Sequence, residues 1–192
     1  MSTPFVTIVS GLPRSGTSAM MQMLQAGGMP ILTDSRRPPD EDNPRGYFEL
    51  EAVKQTKQDP SWLRDAAGKA VKVIHLLLSH LPPSHEYRVI LMRREMSEIL
   101  SSQRKMLDRH GRRGADLTDE HLAKVYGDQL ETVVTWMRSR PNFVMLEMNY
   151  AQLVSDPKKH TGILNAFLGG HLAELPMIAA VDRTLYRKRG PQ

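Results

Sequence analysis

Residues 11–18 read GLPRSGTS, an arginine set between two glycines and followed by hydroxyls at Ser15, Thr17 and Ser18. These residue types suit a bound oxyanion. The glycines let backbone N–H groups turn inward, the hydroxyls donate hydrogen bonds, and Arg14 can fork two oxygens of a phosphate or sulfate at once. The flanking residues supply the geometry. Phe5 to Val9 is a short apolar run rich in β-branched residues and predicts a buried strand. Ser18 to Leu24 predicts the first turns of a helix, with Met20, Met21, Met23 and Leu24 for its packed sides. A strand, a glycine-rich loop and a helix in that order aim a helix N-terminus at an anion. Pro13, Arg14, Ser15, Gly16, Thr17 and Ser18 are therefore candidate anion-binding residues.

The spacing of Gly11 and Gly16 is that of a Walker A loop, but Thr17 stands where that loop carries lysine. The cation sits inside the loop instead, which weakens a conventional ATPase or GTPase reading. A second cationic group comes later. Arg88 to Met92, RVILM, predicts a buried strand, with Arg93 and Arg94 at its end and a helix directly after carrying Ser97, Glu98, Ser101 and Ser102. Open parallel sheets bind ligands beyond the C-terminal ends of their strands. Arg93 and Arg94 with Ser101 and Ser102 thus make a second phosphate site. Lys72 lies in a further predicted core strand, Ala70 to Ile74, and Arg187, Lys188 and Arg189 form a basic stretch near the C-terminus.

Several other elements follow from pattern. Gly27 and Gly28 end the first helix, Met29 to Leu32 is a minor strand, and the proline-rich stretch 33–45 is a surface loop. Glu51 to Arg64 reads as a weakly amphipathic helix interrupted at Asp59-Pro60, and Pro82-Pro83 argues against helix in the apolar run before it. Residues 104–113 read as a basic loop. Leu117 to Ser139 is the longest predicted helix, with Thr118 as N-cap and apolar residues from Leu122 to Met137 on one face. Phe143 to Met148 is another core strand, and Asp156-Pro157 starts a further helix. The alternation of strands and helices predicts an α/β fold with three layers, a largely parallel sheet flanked by helices, in one domain spanning 1–192.

Composition narrows the function. The sequence carries a net charge of +5, which suits a polyanionic small ligand as well as nucleic acid. The signs are mixed along the chain, and no zinc-finger, homeodomain or RNA-recognition pattern occurs, so nucleic acid is not the expected partner. There is no cysteine, hence no disulfide or thiolate metal site, and no metal is expected. No apolar run is long enough for a membrane span and no secretion signal is evident, so the expected location is the cytoplasm.

The phrase PRSGTS resembles the 5′-phosphosulfate loop of the sulfotransferases that use 3′-phosphoadenosine 5′-phosphosulfate (PAPS). Many cytosolic members carry lysine at the position of Arg14, whereas protein-tyrosine sulfotransferases and many bacterial members carry arginine. Two more stretches resemble the family in the same order. A strand ending in Arg, followed by a helix whose Ser lies eight residues on, is similar to its 3′-phosphate segment. Arg94 with Ser102 and Arg93 with Ser101 both fit, and Glu98, four before Ser102, favours the first pair. YAQLVSDPKKHTGILNAFLG, from Tyr150, is similar to a structural segment of the family, with Ala151 and Gln152 replacing its acidic pair. The resemblance implies a P-loop α/β fold and transfer of a sulfuryl group from PAPS to a hydroxyl or amine of a small-molecule acceptor, without a metal. It also implies that Arg187, Lys188 and Arg189 could grip the 3′-phosphate.

The general base departs from one family pattern. Cytosolic members place a histidine two after a lysine; here Lys72 matches the lysine, but Ile74 occupies the histidine position. His75 is one residue late, which reverses the face of an extended chain. Tyrosine-protein sulfotransferases use a glutamate downstream of the loop helix, and Glu49 and Glu51 are in comparable territory, with Glu49 favoured. The resemblance thus implies Arg14, Glu49 and Lys72 as catalytic residues. An apolar pocket near Tyr47, Phe48 and Trp62 would suit a lipid or phenol acceptor, and the basic stretch 104–113 an anionic one. The alternatives are a P-loop kinase and a non-catalytic nucleotide-binding or regulatory protein.

Overall fold

The computed structural model describes residues 5–34, 36, 38, 40, 46–109, 111 and 117–182. Its centre is a four-stranded, fully parallel sheet in the order β2-β1-β3-β4. The strands are β1 (Val6–Gly11), β2 (Ala70–Lys72), β3 (Tyr87–Arg93) and β4 (Phe143–Asn149). Parallel strands require crossovers that cover both faces, so the central strands read as continuous apolar runs. β1 is buried along its whole length, and β3 at every residue except Arg88 and Arg93.

Side chains alternate between the two faces. Val6, Ile8, Val71, Val73, Val89 and Leu91 pack on one side against α3 (Asp119–Arg138) and three short 3-10 turns. Val9, Ala70, Ile90, Met92 and Met148 pack on the other against α1 (Thr17–Ala26), α4 (Tyr150–Ser155), α5 (Pro157–Leu168) and α6 (Glu174–Ala180). That second layer is rich in methionine: Met20, Met21, Met23, Met29 and Met177 join Met92 and Met148 in it. Unbranched thioether side chains fill the irregular gaps between a sheet and several short helices. Each fully buried apolar side chain of this size contributes about 1.5–3 kcal/mol.

The helix starts follow capping chemistry. Thr118 accepts from the N–H of His121, Asn149 from that of Gln152, and Asp156 from that of Lys159, with Pro157 at the first helical position. Four elements differ from the sequence expectation. Residues 51–64 form two 3-10 turns, Glu51–Gln55 and Ser61–Asp65, and no α-helix, because Asp59-Pro60 divides a stretch too short to nucleate one. A further 3-10 turn, His75–His80, ends just before Pro82, where the prolines impose no clash. Met29–Leu32 is reduced to a single parallel bridge, Ile31 to Ala70. The basic stretch from residue 104 is helical as far as Arg109, since α2 (Met96–Arg109) continues through it. Among the described residues no helix is long and apolar enough to cross a membrane.

β1 lies between β2 and β3, so the chain leaves its C-terminal end toward one neighbour and later returns to the other. Gly11 sits opposite Met92 in the register. The loop after β1 and the turn after β3 therefore meet at the point where α/β sheets open a crevice.

Candidate active site

The loop 11–16 is shaped by two glycines. Gly16 has φ 100° and precedes the first residue of α1; a β-carbon on it would lie 2.6 Å from the Tyr150 ring. Gly11 lies so close to Met92 that a β-carbon there would meet its carbonyl oxygen at 2.8 Å. Arg14 takes a left-handed backbone, φ 70°, although it is not glycine. Such a conformation persists only where surrounding contacts hold it. Thr17 and Ser18 open α1 and are buried. Ser15 is 1% exposed, and its hydroxyl has no hydrogen-bond partner among the described residues. A buried unsatisfied hydroxyl in a loop at a helix N-terminus fits an anion that would accept from it.

The second basic group divides between the two faces. Arg94 turns toward the loop: its Nη1 donates to the Arg14 carbonyl at 3.0 Å and its Nε to Glu98 Oε2 at 2.8 Å. Its guanidinium lies 5.3 Å from the centre of the Tyr150 ring. Ser102 joins the same cluster, accepting from Arg14 Nε at 2.9 Å. Arg93 points to the other face, where it donates to Glu147 at 2.7 Å and lies 3.7 Å from Glu131 of α3. Of the two pairs, the structure thus brings Arg94 and Ser102 to Arg14, while Arg93 is held in a network with β4. Ser101 is half-buried on α2.

Lys72 occupies the other flank. Its ammonium donates to Ser18 Oγ at 3.2 Å and to the Tyr47 carbonyl at 3.1 Å, and lies 3.8 Å from Glu49 Oε1. Glu49 is placed by a local strap. Thr33 Oγ1 and the N–H of Asp34 both donate to its carbonyl, and Asp34 Oδ2 accepts from the N–H of Glu51. Phe48, just before it, has φ 54°. Glu51 instead pairs with Lys54 on the surface at 2.7 Å.

His75 lies on the opposite side from Lys72, as its one-residue offset from the lysine pattern predicts, whereas the expected pocket at Tyr47 and Trp62 is not formed. His75 is 2% exposed, with Nε2 3.0 Å from Gln129 Oε1 on the α3 side of the sheet, so it stands away from the Lys72 flank. Ile74, at the position where a family histidine was sought, is 41% exposed. Trp62 is a core residue whose indole N–H donates to Thr56, and Tyr47 is buried with its hydroxyl on Asp40, so these two anchor the fold and do not line an open pocket. Arg187, Lys188 and Arg189 lie outside the described residues, as does part of the basic stretch 104–113.

Tyr150 was read from sequence only as part of a structural segment. It packs its ring on Gly16 and under Arg94, and burial pushes its phenol pKa up, partly offset by Arg94. The signal was its position immediately after a strand, at the C-terminal edge of the sheet.

With this geometry in place, likeness to known proteins is informative. The sulfotransferase domain family matches residues 6–188. No curated protein sequence matches the chain. The fold is similar to the sulfotransferase domain of the Synechococcus PCC 7002 olefin synthase, at 17% identity and TM-score 0.57, covering 100% of this chain and 82% of that one. It is also similar to the sulfotransferase domain from the curacin biosynthetic pathway, at 14% identity and TM-score 0.54, covering 98% and 91%. Retinol dehydratase, crystallised with androsterone and the inactive cofactor PAP, is similar over 91% of this chain and 62% of its own, at 15% identity and TM-score 0.53. The match to the family over nearly the whole length shows where the chain falls: it belongs to the sulfotransferase domain family.

Proposed function

We propose that the protein transfers a sulfuryl group from PAPS to a hydroxyl or amine of a small-molecule acceptor, with the 11–18 loop as the site of the 5′-phosphosulfate. PAPS supplies the sulfuryl group and departs as adenosine 3′,5′-bisphosphate. The observation that carries this reading is the cluster of Arg14, Arg94 and Ser102 around a loop whose Ser15 hydroxyl is buried and finds no partner among the described residues.

On this reading the loop N–H groups, Ser15, Thr17 and Ser18 hold the 5′ oxygens, and Arg94 with Ser102 takes the 3′-phosphate. Arg14 stands where negative charge grows on the leaving phosphate, the placement that lowers a barrier most. Lys72, between Ser18 and Glu49, neutralises the transferring group. Glu49 accepts the acceptor's proton at its carboxylate. Ile74, two residues after Lys72 and exposed, supplies no base. The protein acts as one domain, in the cytoplasm.

Thermal unfolding with adenosine 3′,5′-bisphosphate, or with ATP and magnesium, tests the pocket. The expected result is a rise in Tm with the bisphosphate alone, lost in Arg14→Ala. A rise with ATP and magnesium but not with the bisphosphate would replace this reading by a kinase.

A further inference from the structure

Arg14 holds its left-handed backbone in spite of a bulky side chain, an unfavourable state that needs an external restraint. The restraint is visible at its carbonyl, which accepts from Arg94 Nη1 at 3.0 Å. Arg94 is itself oriented. A guanidinium is planar, so the bond from its Nε to Glu98 at 2.8 Å fixes the plane in which Nη1 points. Glu98 lies in the first turn of α2, and Tyr150 packs both on Arg94 and on Gly16.

We propose that Arg94, aimed by Glu98, is a positioning residue for the 11–16 loop: it holds the turn at Arg14 in the shape that converges the loop's donors on a 5′ anion. This rests on the reading of that loop as the 5′-phosphosulfate site, and it adds a second task to an arginine otherwise assigned to the 3′-phosphate. One guanidinium then links the two ends of the nucleotide through the protein.

The test separates the tasks by ligand. Calorimetry would compare adenosine 3′,5′-bisphosphate with adenosine 5′-monophosphate, which lacks the 3′-phosphate, on wild type, Glu98→Ala, Glu98→Gln and Arg94→Lys. Glu98→Ala and Arg94→Lys are each expected to weaken the 5′-monophosphate about tenfold, the scale of one lost charge-assisted hydrogen bond. They should weaken the bisphosphate by at least as much. Glu98→Gln keeps an acceptor for Arg94 Nε and should stay within about threefold of wild type. Should Glu98→Ala fail to fold, Arg94→Lys carries the comparison. Variants that bind the 5′-monophosphate as wild type does, while losing the bisphosphate, would overturn the proposal and leave Arg94 a 3′-phosphate ligand only. Wild type binding the bisphosphate but not the 5′-monophosphate at millimolar concentration would overturn it too, with the PAPS reading intact. Wild type binding neither would remove the PAPS reading first, and this one with it.

Discussion

Gly16 shows how little latitude the loop has. Its backbone sits at φ 100°, and the Tyr150 ring fills the space a side chain would need. Gly16→Ala adds backbone strain and a clash with a ring that is itself packed under Arg94. We expect a loss of about 2–4 kcal/mol, seen as a lower urea midpoint at unchanged slope. A loss below about 1 kcal/mol would mean that the loop relaxes freely, and the argument for a rigid anion cradle would go with it. At this scale the sequence was informative where chemistry is local. Gly11, Arg14, Ser15 and Gly16 announce a loop because each type has a distinct backbone or donor role. It was ambiguous where the answer depends on which face a residue takes. Arg93 and Arg94 are indistinguishable by type. Alternation along β3 sends Arg93 with Leu91 toward α3 and Arg94 with Met92 toward Tyr150. Lys72 ends β2 whereas His75 opens the 3-10 turn His75–His80, and their side chains reach different partners, Ser18 and Gln129.

Among the elements, the strap around Glu49 is hard to predict from sequence and is sensitive to acid. Its contacts join Thr33 and Asp34 to Glu49 and Glu51, 16 and 17 positions apart in sequence, and no local pattern specifies such a pairing. The Asp34 carboxylate accepts the N–H of Glu51 and then that of Arg36, and with Arg36 nearby these hold its pKa below the ordinary 3.8. A depressed folded-state pKa gives stability that is present above 3.8 and lost as pH falls through the folded value. An NMR titration of the Asp34 carboxyl should have its midpoint below 3.8. Asp34→Ala should lose protection of the Glu51 amide already at neutral pH. An Asp34 midpoint at or above the ordinary value would show that the strap is not closed in solution. By contrast, α2 was misjudged past residue 104 for a simple reason: arginine and lysine are good helix formers, so a basic run does not by itself end a helix.

At the scale of the molecule, the parallel sheet ties the two turns proposed to hold the nucleotide to the most buried chain. β1 has neighbours on both sides and is buried throughout, and both turns leave from its end or from that of β3. The fold class was legible because continuous apolar runs alternate with helical segments, and only the layer boundaries needed coordinates. This connectivity has a measurable consequence. Amides of β1 and β3 should exchange only through global unfolding, whereas those of α6, a short helix at the edge, should open locally. A ligand that binds the folded state alone, at a hundred times its Kd, stabilises it by about 2.7 kcal/mol. Adenosine 3′,5′-bisphosphate at that level should therefore slow exchange of the β1 and β3 amides by about a hundredfold. Amides of α6 that exchange by local opening should change far less. If protection rises only around residues 11–18 and the sheet amides keep their rates, then the sheet opens without releasing the nucleotide. The loop would in that case be a site carried on the fold and not one whose occupation depends on the whole of it.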